Sequence, residues 1–254
     1  HLCALAGGVD AFLIGSELRG LTQIRSAAAT YPAVLQLRSL AVAVRQILGP
    51  GTKISYAADW SEYFGHHPDG GSGDVFFHLD PLWADESIDF IGIDNYMPLS
   101  DWRDGWDHLD ARDWPAIHDR AYLQANVAGG EGQDWFYASA ADRAAQNRTP
   151  ISDGAYNKPW VFRYKDLRSW WSNRHYDRPG GVESATPTAW LPESKPIRFT
   201  ELGCPAIDRG TNQPNVFFDP KSSESFTPHF SRGWRDDAIQ RAYLEATYLW
   251  WGEA

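Results

Sequence analysis

Residues 12–18 read Phe12-Leu13-Ile14-Gly15-Ser16-Glu17-Leu18, an apolar run that ends in a glutamate. A short run of this kind is typical of a parallel strand that is buried on both faces. Residues 197–203 repeat the arrangement as Ile197-Arg198-Phe199-Thr200-Glu201-Leu202-Gly203. Each glutamate therefore stands where a strand gives way to a loop. The carboxyl ends of parallel strands are where α/β folds keep their functional side chains.

The rest of the chain predicts a parallel sheet with helical crossovers. Strands are predicted at 10–14, 53–58, 88–93 and 197–200, and helices at 31–48, 79–84 and 235–251. Strands that alternate with helices indicate a parallel α/β fold. Residues 100–195 are far longer than one strand-helix unit, which is about 30 residues in a barrel. We interpret them as a long insertion after the third strand.

The amino-acid composition indicates which classes of binding partner are expected and which are not. The chain has 254 residues, of which 43% are hydrophobic, enough for the core of one large domain. The net charge of -10 argues against a nucleic-acid partner, because phosphate binding needs a basic face. No apolar stretch approaches the roughly 20 residues of a membrane span, so membrane insertion is not expected. The 13 tryptophans favour a glycan groove lined by two or three of them, although any single Trp is more often a core residue.

The amino-acid sequences of several long segments resemble those of one known family. Segments 10–21, 53–64, 89–102, 158–171 and 195–214 are similar to the glycoside-hydrolase TIM-barrel-like domain of gene-transfer-agent and phage-tail host-specificity proteins. The resemblance spans essentially the whole chain. It implies an α/β fold of the (β/α)8 TIM-barrel type in a single domain, 1–254. The visible strands would be strands 4 to 7, with strands 1 to 3 expected before His1 and strand 8 after Ala254. An open barrel of this kind would expose unpaired edges, so we expect it to be marginally stable or to associate.

The resemblance also implies catalytic roles. In the large clan of retaining glycoside hydrolases on such barrels, the acid/base Glu ends strand 4 and the nucleophile Glu ends strand 7. The matching residues here are Glu17 as general acid/base and Glu201 as nucleophile. Side chains near the strand ends would bind the substrate; they are Ser16, Arg19, Asp59, Trp60, Asp94, Asn95, Tyr96 and Trp102. The clan usually has Asn before its acid/base Glu, and this chain has Ser16 there instead.

Each of these residues also has a structural alternative. Glu17 could be a solvated residue paired with Arg19, which would lower the pKa of its carboxyl group. Glu201 could be a loop or capping carboxylate. The pair Asp94-Asn95 is equally typical of a turn or a helix cap.

Three functions follow from these observations. The first is a retaining glycosidase without cofactor or metal, acting on a cell-envelope or surface glycan as part of a phage-tail-like particle. Such a protein would be synthesised in the cytoplasm and assembled with other tail or baseplate proteins of a virion or gene-transfer agent. The second is an inactive barrel that serves as a glycan-binding or structural module of the tail tip. The third is a metal-dependent hydrolase, for which the candidate ligands are His66, His67, Asp69, His78 and Asp80.

Overall fold

The computed structural model describes residues 1–68, 70–223 and 225–253. Its strands are β1 (Ala11–Ser16), β2 (Lys53–Asp59), β3 (Ile91–Asn95), β4 (Trp135–Phe136), β5 (Thr149–Pro150) and β6 (Ile197–Leu202). Its α-helices are α1 (Leu2–Leu5), α2 (Arg19–Thr22), α3 (Pro32–Leu48), α4 (Asp80–Trp83), α5 (Leu109–Asp113), α6 (Arg120–Ala125), α7 (Ala140–Ala145), α8 (Leu167–Ser172) and α9 (Asp237–Glu253). Short 3-10 turns lie at Pro159–Phe162, Pro179–Gly181 and Gly210–Asn212.

The chain divides into two compact units. The first comprises His1–Asn95 and Leu167–Glu201, and the second comprises Tyr96–Asp166 and the chain from Leu202 onward. Residues 96–166, most of the predicted insertion, thus belong to the second unit, while the chain returns to the first at α8. None of the helices in the described ranges combines the length and the apolar character that crossing a membrane requires.

The first unit is built on a four-stranded sheet with the order β1-β2-β3-β6. The pairs β1/β2 and β2/β3 are parallel, and the register places Ser16 beside Ala57 and Asp59 beside Asp94. Consecutive residues of β2 and β3 are buried, as expected for strands covered on both faces. The predicted α/β class and its parallel sheet are therefore confirmed.

The third strand begins later than the sequence predicts, at Ile91 instead of residue 88. The reason is the side chain of Asp89, whose Oδ2 accepts a hydrogen bond of 2.7 Å from the backbone N–H of Ile54. Arg45 donates to the same carboxylate. A side chain thus bonds to a backbone group that a strand neighbour would otherwise pair.

Helix α3 follows the predicted pattern closely. Its apolar positions Val34, Leu37 and Ala41 are buried, and Pro32 stands at its start, where a missing N–H costs nothing. Gly49 ends the helix with a φ of 75°, a conformation that glycine adopts without the steric cost of a Cβ. The predicted helix at 31–48 is therefore confirmed.

The second unit has its own hydrophobic core. Helices α6 and α9 pack together there, and buried Tyr122, Ile239 and Tyr243 contribute to one cluster. Strands β4 and β5 form a two-residue antiparallel pair. Each unit therefore carries a packed apolar interior, and the parallel strands with the strand-end glutamates lie in the first.

Candidate active site

The sheet of the first unit curves around Asp94, the fourth residue of β3. The hydroxyl of Ser16 on β1 donates to Asp94 Oδ2 over 2.9 Å, although β2 lies between the two strands. From the other side, Thr200 on β6 donates to Asp94 Oδ1 over 2.6 Å. In a flat sheet, strands two positions apart are separated by about 9.5 Å, too far for a serine to reach an aspartate. The face that carries these side chains is therefore concave.

The two strand-end glutamates meet on this face. Glu17, Asp94 and Glu201 each offer a carboxylate oxygen, and these oxygens all lie within 4.8 Å of one another. Strands β1 and β6 would be about 14 Å apart in a flat sheet, three strand spacings, so the curvature is what brings the carboxylates together. Asp94 is buried, whereas the two glutamates are exposed and can be reached from solvent.

The backbone at Glu17 has a left-handed conformation, with a φ of 51°. Non-glycine residues adopt this region rarely and at a cost of about 1 kcal/mol. The N–H of Glu17 donates to the carbonyl oxygen of Ala57 over 2.9 Å, which fixes the turn against β2. Strained backbone of this kind is concentrated at functional sites.

Burial and the neighbouring negative charges raise the pKa values of two of these carboxyl groups, Glu17 and Asp94. Burial raises the pKa of Glu17 above its usual value, and the negative charges of Asp59, Asp94 and Glu201 raise it further. Burial also raises the pKa of Asp94, and the charges of Glu201 and Asp59 add to it, against the hydrogen bonds from Thr200 and Ser16. The alternative in which an ion pair with Arg19 lowers the pKa of Glu17 is therefore wrong, because that pKa is raised.

Three other predicted site residues, Asp59, Trp60 and Asn95, also belong to the first unit. Asp59 Oδ1 accepts from the backbone N–H of Ser61 over 2.8 Å, and the Ser61 hydroxyl donates to the same oxygen. The N–H of Trp60 donates to the carbonyl oxygen of Asp94 over 3.1 Å, and Asn95 is buried at the end of β3. Asp59 therefore shapes the turn after β2 while its charge acts on Glu17.

Tyr96 and Trp102 belong to the second unit. The ring of Tyr96 lies 5.8 Å from that of Phe217. Trp102 is only 8% exposed and packs in the hydrophobic core, 4.6 Å from the His108 ring and 5.7 Å from the Tyr122 ring. The structure therefore places Trp102 as a core residue of this unit.

The same three carboxylates are spaced so that they could coordinate a metal cation. Glu17, Asp94 and Glu201 form the one group of three His, Cys, Asp or Glu side chains with suitable spacing in the described ranges. Three hard oxygen ligands are of the kind that Ca²⁺ and Mg²⁺ prefer.

The alternative ligand set around His66 is not brought together in this way. His66 Nδ1 is 2.9 Å from the Tyr31 hydroxyl, and Asp80 is bonded to His175 and Thr188. Burial lowers the pKa of His78 to about 3. Asp69, the remaining member of the set, lies outside the described residues.

Two residues that sequence reasoning missed support the site. Thr200 was part of the quoted strand motif, but only the structure shows that it bonds to Asp94. Glu62 is fully buried, and burial raises the pKa of its carboxyl group to about 7. The one signal for Glu62 in the sequence is a charged residue next to two aromatic ones, Tyr63 and Phe64, which does not by itself indicate a site.

Parallel strands whose carboxyl ends gather acidic side chains define the protein as an α/β protein with its candidate site at the ends of the strands. The family model of the GTA (gene-transfer-agent) TIM-barrel-like domain matches residues 1–254, and the chain belongs to this family. The family resemblance predicted from the sequence is therefore confirmed. A search of curated proteins found no match.

Proposed function

We propose that this protein is a retaining glycoside hydrolase with Glu17 as general acid/base and Glu201 as nucleophile. The observation that supports the proposal is the approach of the two carboxylates, each of which has one oxygen within 4.8 Å of an oxygen of the other. Retaining enzymes hold their two carboxyl groups about 5 to 5.5 Å apart, whereas inverting enzymes leave roughly 6.5 to 9.5 Å for a water molecule. The short separation favours the retaining reaction.

The electrostatics support the division of roles. The raised pKa of Glu17 keeps a proton on its carboxyl group to a higher pH than usual, as a general acid requires. In the first step, Glu201 attacks the anomeric carbon and Glu17 gives its proton to the leaving oxygen. In the second step, Glu17 takes a proton from the water that displaces Glu201 from the sugar.

The substrate and setting form a wider part of the proposal. We expect a cell-envelope or surface glycan, held by polar groups of Asp94, Asn95 and Asp59 and by stacking on Trp60. The family model of the GTA TIM-barrel-like domain supports a setting among gene-transfer-agent proteins. We therefore propose that it works in the tail of such a particle, beside other tail or baseplate proteins, within a closed hydrolase-type barrel.

A second candidate function is a catalytically inactive module that binds a glycan or supports the tail structure. Ser16 favours it, because its hydroxyl proton is already donated to Asp94. In the clan that this chain resembles, an Asn at this position hydrogen-bonds the 2-hydroxyl of the sugar. With its proton engaged, Ser16 retains only acceptor capacity for a sugar hydroxyl.

The test is hydrolysis of purified envelope glycans and aryl glycosides by the full chain, followed by release of reducing sugar and by proton NMR of the first product. We expect release with retained anomeric configuration, and loss of release in Glu201→Gln with glycan binding intact. Glu245→Gln, an exposed change in α9, is the control and should remain active.

The other outcomes separate the candidates. Glycan binding without release, in both the wild type and Glu201→Gln, would establish the inactive module. An inverted product would contradict the retaining mechanism. Activity that a chelator abolishes would contradict a reaction without metal.

A further inference from the structure

A further carboxylate, that of Glu62, is buried and hydrogen-bonded to residues of β2 and α2. Glu62 is 0% exposed, and both of its oxygens accept from the Tyr56 hydroxyl over 3.1 Å. The Thr22 hydroxyl donates to Glu62 Oε1, and the backbone N–H of Asp59 donates to Oε2 over 3.3 Å. A buried carboxylate costs free energy unless such donors surround it, so these bonds hold its position firmly.

The Tyr56 hydroxyl connects this carboxylate to Glu17. It accepts a hydrogen bond of 2.7 Å from the backbone N–H of Leu18, the residue that follows Glu17. A phenol has one proton, and here the proton goes to Glu62, so a lone pair of the oxygen faces Leu18. Together with the bond from the Glu17 N–H to Ala57, both peptide N–H groups around the strained Glu17 conformation are fixed.

We propose that Glu62 is a positioning residue for Glu17, acting through Tyr56 to hold the left-handed turn that brings the Glu17 carboxyl group to Asp94 and Glu201. The importance of Glu62 for catalysis rests on the proposed function. The effect of Glu62 on the conformation of the turn at Glu17 does not depend on that function. The hydrogen bonds to Glu62 from Tyr56 on β2, Thr22 on α2 and Asp59 at the end of β2 are all donated by these partners. The network therefore fits the ionised carboxylate. In Glu62→Gln the amide NH2 group would face partners that themselves donate hydrogen bonds, so it would lack an acceptor there.

The test uses the full chain. Hydrogen exchange is followed at pH 8, above the pKa of about 7 to which burial raises Glu62, and the Glu17 carboxyl group is followed in a separate pH titration. The variants are Tyr56→Phe and Glu62→Gln. The matched control is Asp89→Asn, which also changes a hydrogen-bonded carboxylate to an amide but lies where β3 approaches the start of β2. Two quantities are measured: hydrogen exchange of the Leu18 amide, and the pKa of Glu17 from carbon-13 NMR of its labelled carboxyl group.

We expect the Leu18 amide to exchange about tenfold faster in both variants, since it loses a well-placed acceptor. We also expect the pKa of Glu17 to fall toward its usual range, because a loosened turn lets the carboxyl group into solvent. Asp89→Asn should change neither quantity, even if it lowers overall stability.

Unchanged Leu18 exchange and an unchanged Glu17 pKa in Tyr56→Phe would overturn the proposal, whether or not Glu62→Gln folds. The same changes appearing in Asp89→Asn would also overturn it, because they would report general loosening. Neither measurement needs turnover. A protein without hydrolase activity that shows the coupling would refute the proposed function and leave the positioning role standing.

Discussion

Each unit contains a cluster of carboxylates, and the two clusters are built in opposite ways. In the second unit, Asp101 lies 3.0 Å from Arg103 and 2.9 Å from Arg148. Burial alone would raise the pKa of Asp101, but hydrogen bonds from Tyr137 and Arg148 and the charge of Arg103 hold it below its usual value. In the first unit, Glu17 and Asp94 face other carboxylates, and the pKa values of both are raised.

The difference lies in the charged neighbours and not in the direction of every shift, since burial also raises the pKa of Asp110 beside Arg148 in the second cluster. A buried acid surrounded by arginines is neutralised and ties loops together, as Asp101 does with residues of three neighbouring segments. Acids that crowd one another repel, and folding gains nothing from keeping them together. Such groups with raised pKa values in an accessible cleft are typical of functional sites.

The largest expected effect tests whether Trp102 is structural. Trp102→Ala should lower the free energy of unfolding by about 3 to 5 kcal/mol, since a large core side chain is removed. Urea denaturation measures the change, with Trp106→Ala as control, because that ring is 68% exposed. Equal, small losses in both variants would place Trp102 among the binding residues that the sequence predicted.

The next effect tests the carboxylate cluster of the second unit, in which Asp101 and Asp110 form ion pairs with Arg148. Arg148→Met should lower the free energy of unfolding by about 3 kcal/mol, because Asp101 and Asp110 are left with less positive charge in a buried setting. The control is Arg235→Met, whose ion pair with Asp237 is exposed to solvent, so that its loss should change the free energy of unfolding little. Similar values for the two variants would show that the second cluster is no more structural than a surface pair.

The smallest expected effect tests the cluster of Glu17, Asp94 and Glu201. It is a gain in the free energy of unfolding, whereas the two preceding substitutions should lower it. The native state binds a proton at Glu17 more tightly than the unfolded state, since the pKa of Glu17 is raised. Stability therefore falls as pH rises from the unfolded pKa, about 4.3, through the folded one. Glu17→Gln removes this fall and should stabilise the protein at pH 7 by about 0.5 kcal/mol, a small value because solvent screens an exposed group.

Thermal unfolding of Glu17→Gln and wild type between pH 4 and pH 8 measures this difference. Glu245→Gln is the control, because its partner Arg241 on the same helix should make that change neutral or slightly destabilising. A loss of stability in Glu17→Gln at pH 7 would mean that the Glu17 carboxylate is stabilised in the fold, as Asp101 is.

Much of the first unit could be predicted because its signals are local. The apolar runs around Ile54 and Ile93 indicated buried strands, and the spacing of Val34, Leu37 and Ala41 indicated a helix with one buried face. The run around Ile14 also forms a strand, but the expected burial on both faces was wrong, since Ile14 is the one buried residue of β1. The start of β3 was missed by three residues, since the Asp89 side chain bonds to a backbone group that a strand residue would otherwise pair. Trp102 was assigned to the site because a sequence does not distinguish a ring in a core from one in a groove.

The sequence by itself determined the strand order, the family and the two glutamates at the strand ends, because these depend on residue pattern and identity. The tertiary structure alone decided that Glu17, Asp94 and Glu201 meet within 4.8 Å, that Ser16 donates to Asp94 and that Glu62 is buried. The physical reason is curvature. Distances across a sheet depend on how all of its strands bend together, and no short stretch of sequence records that.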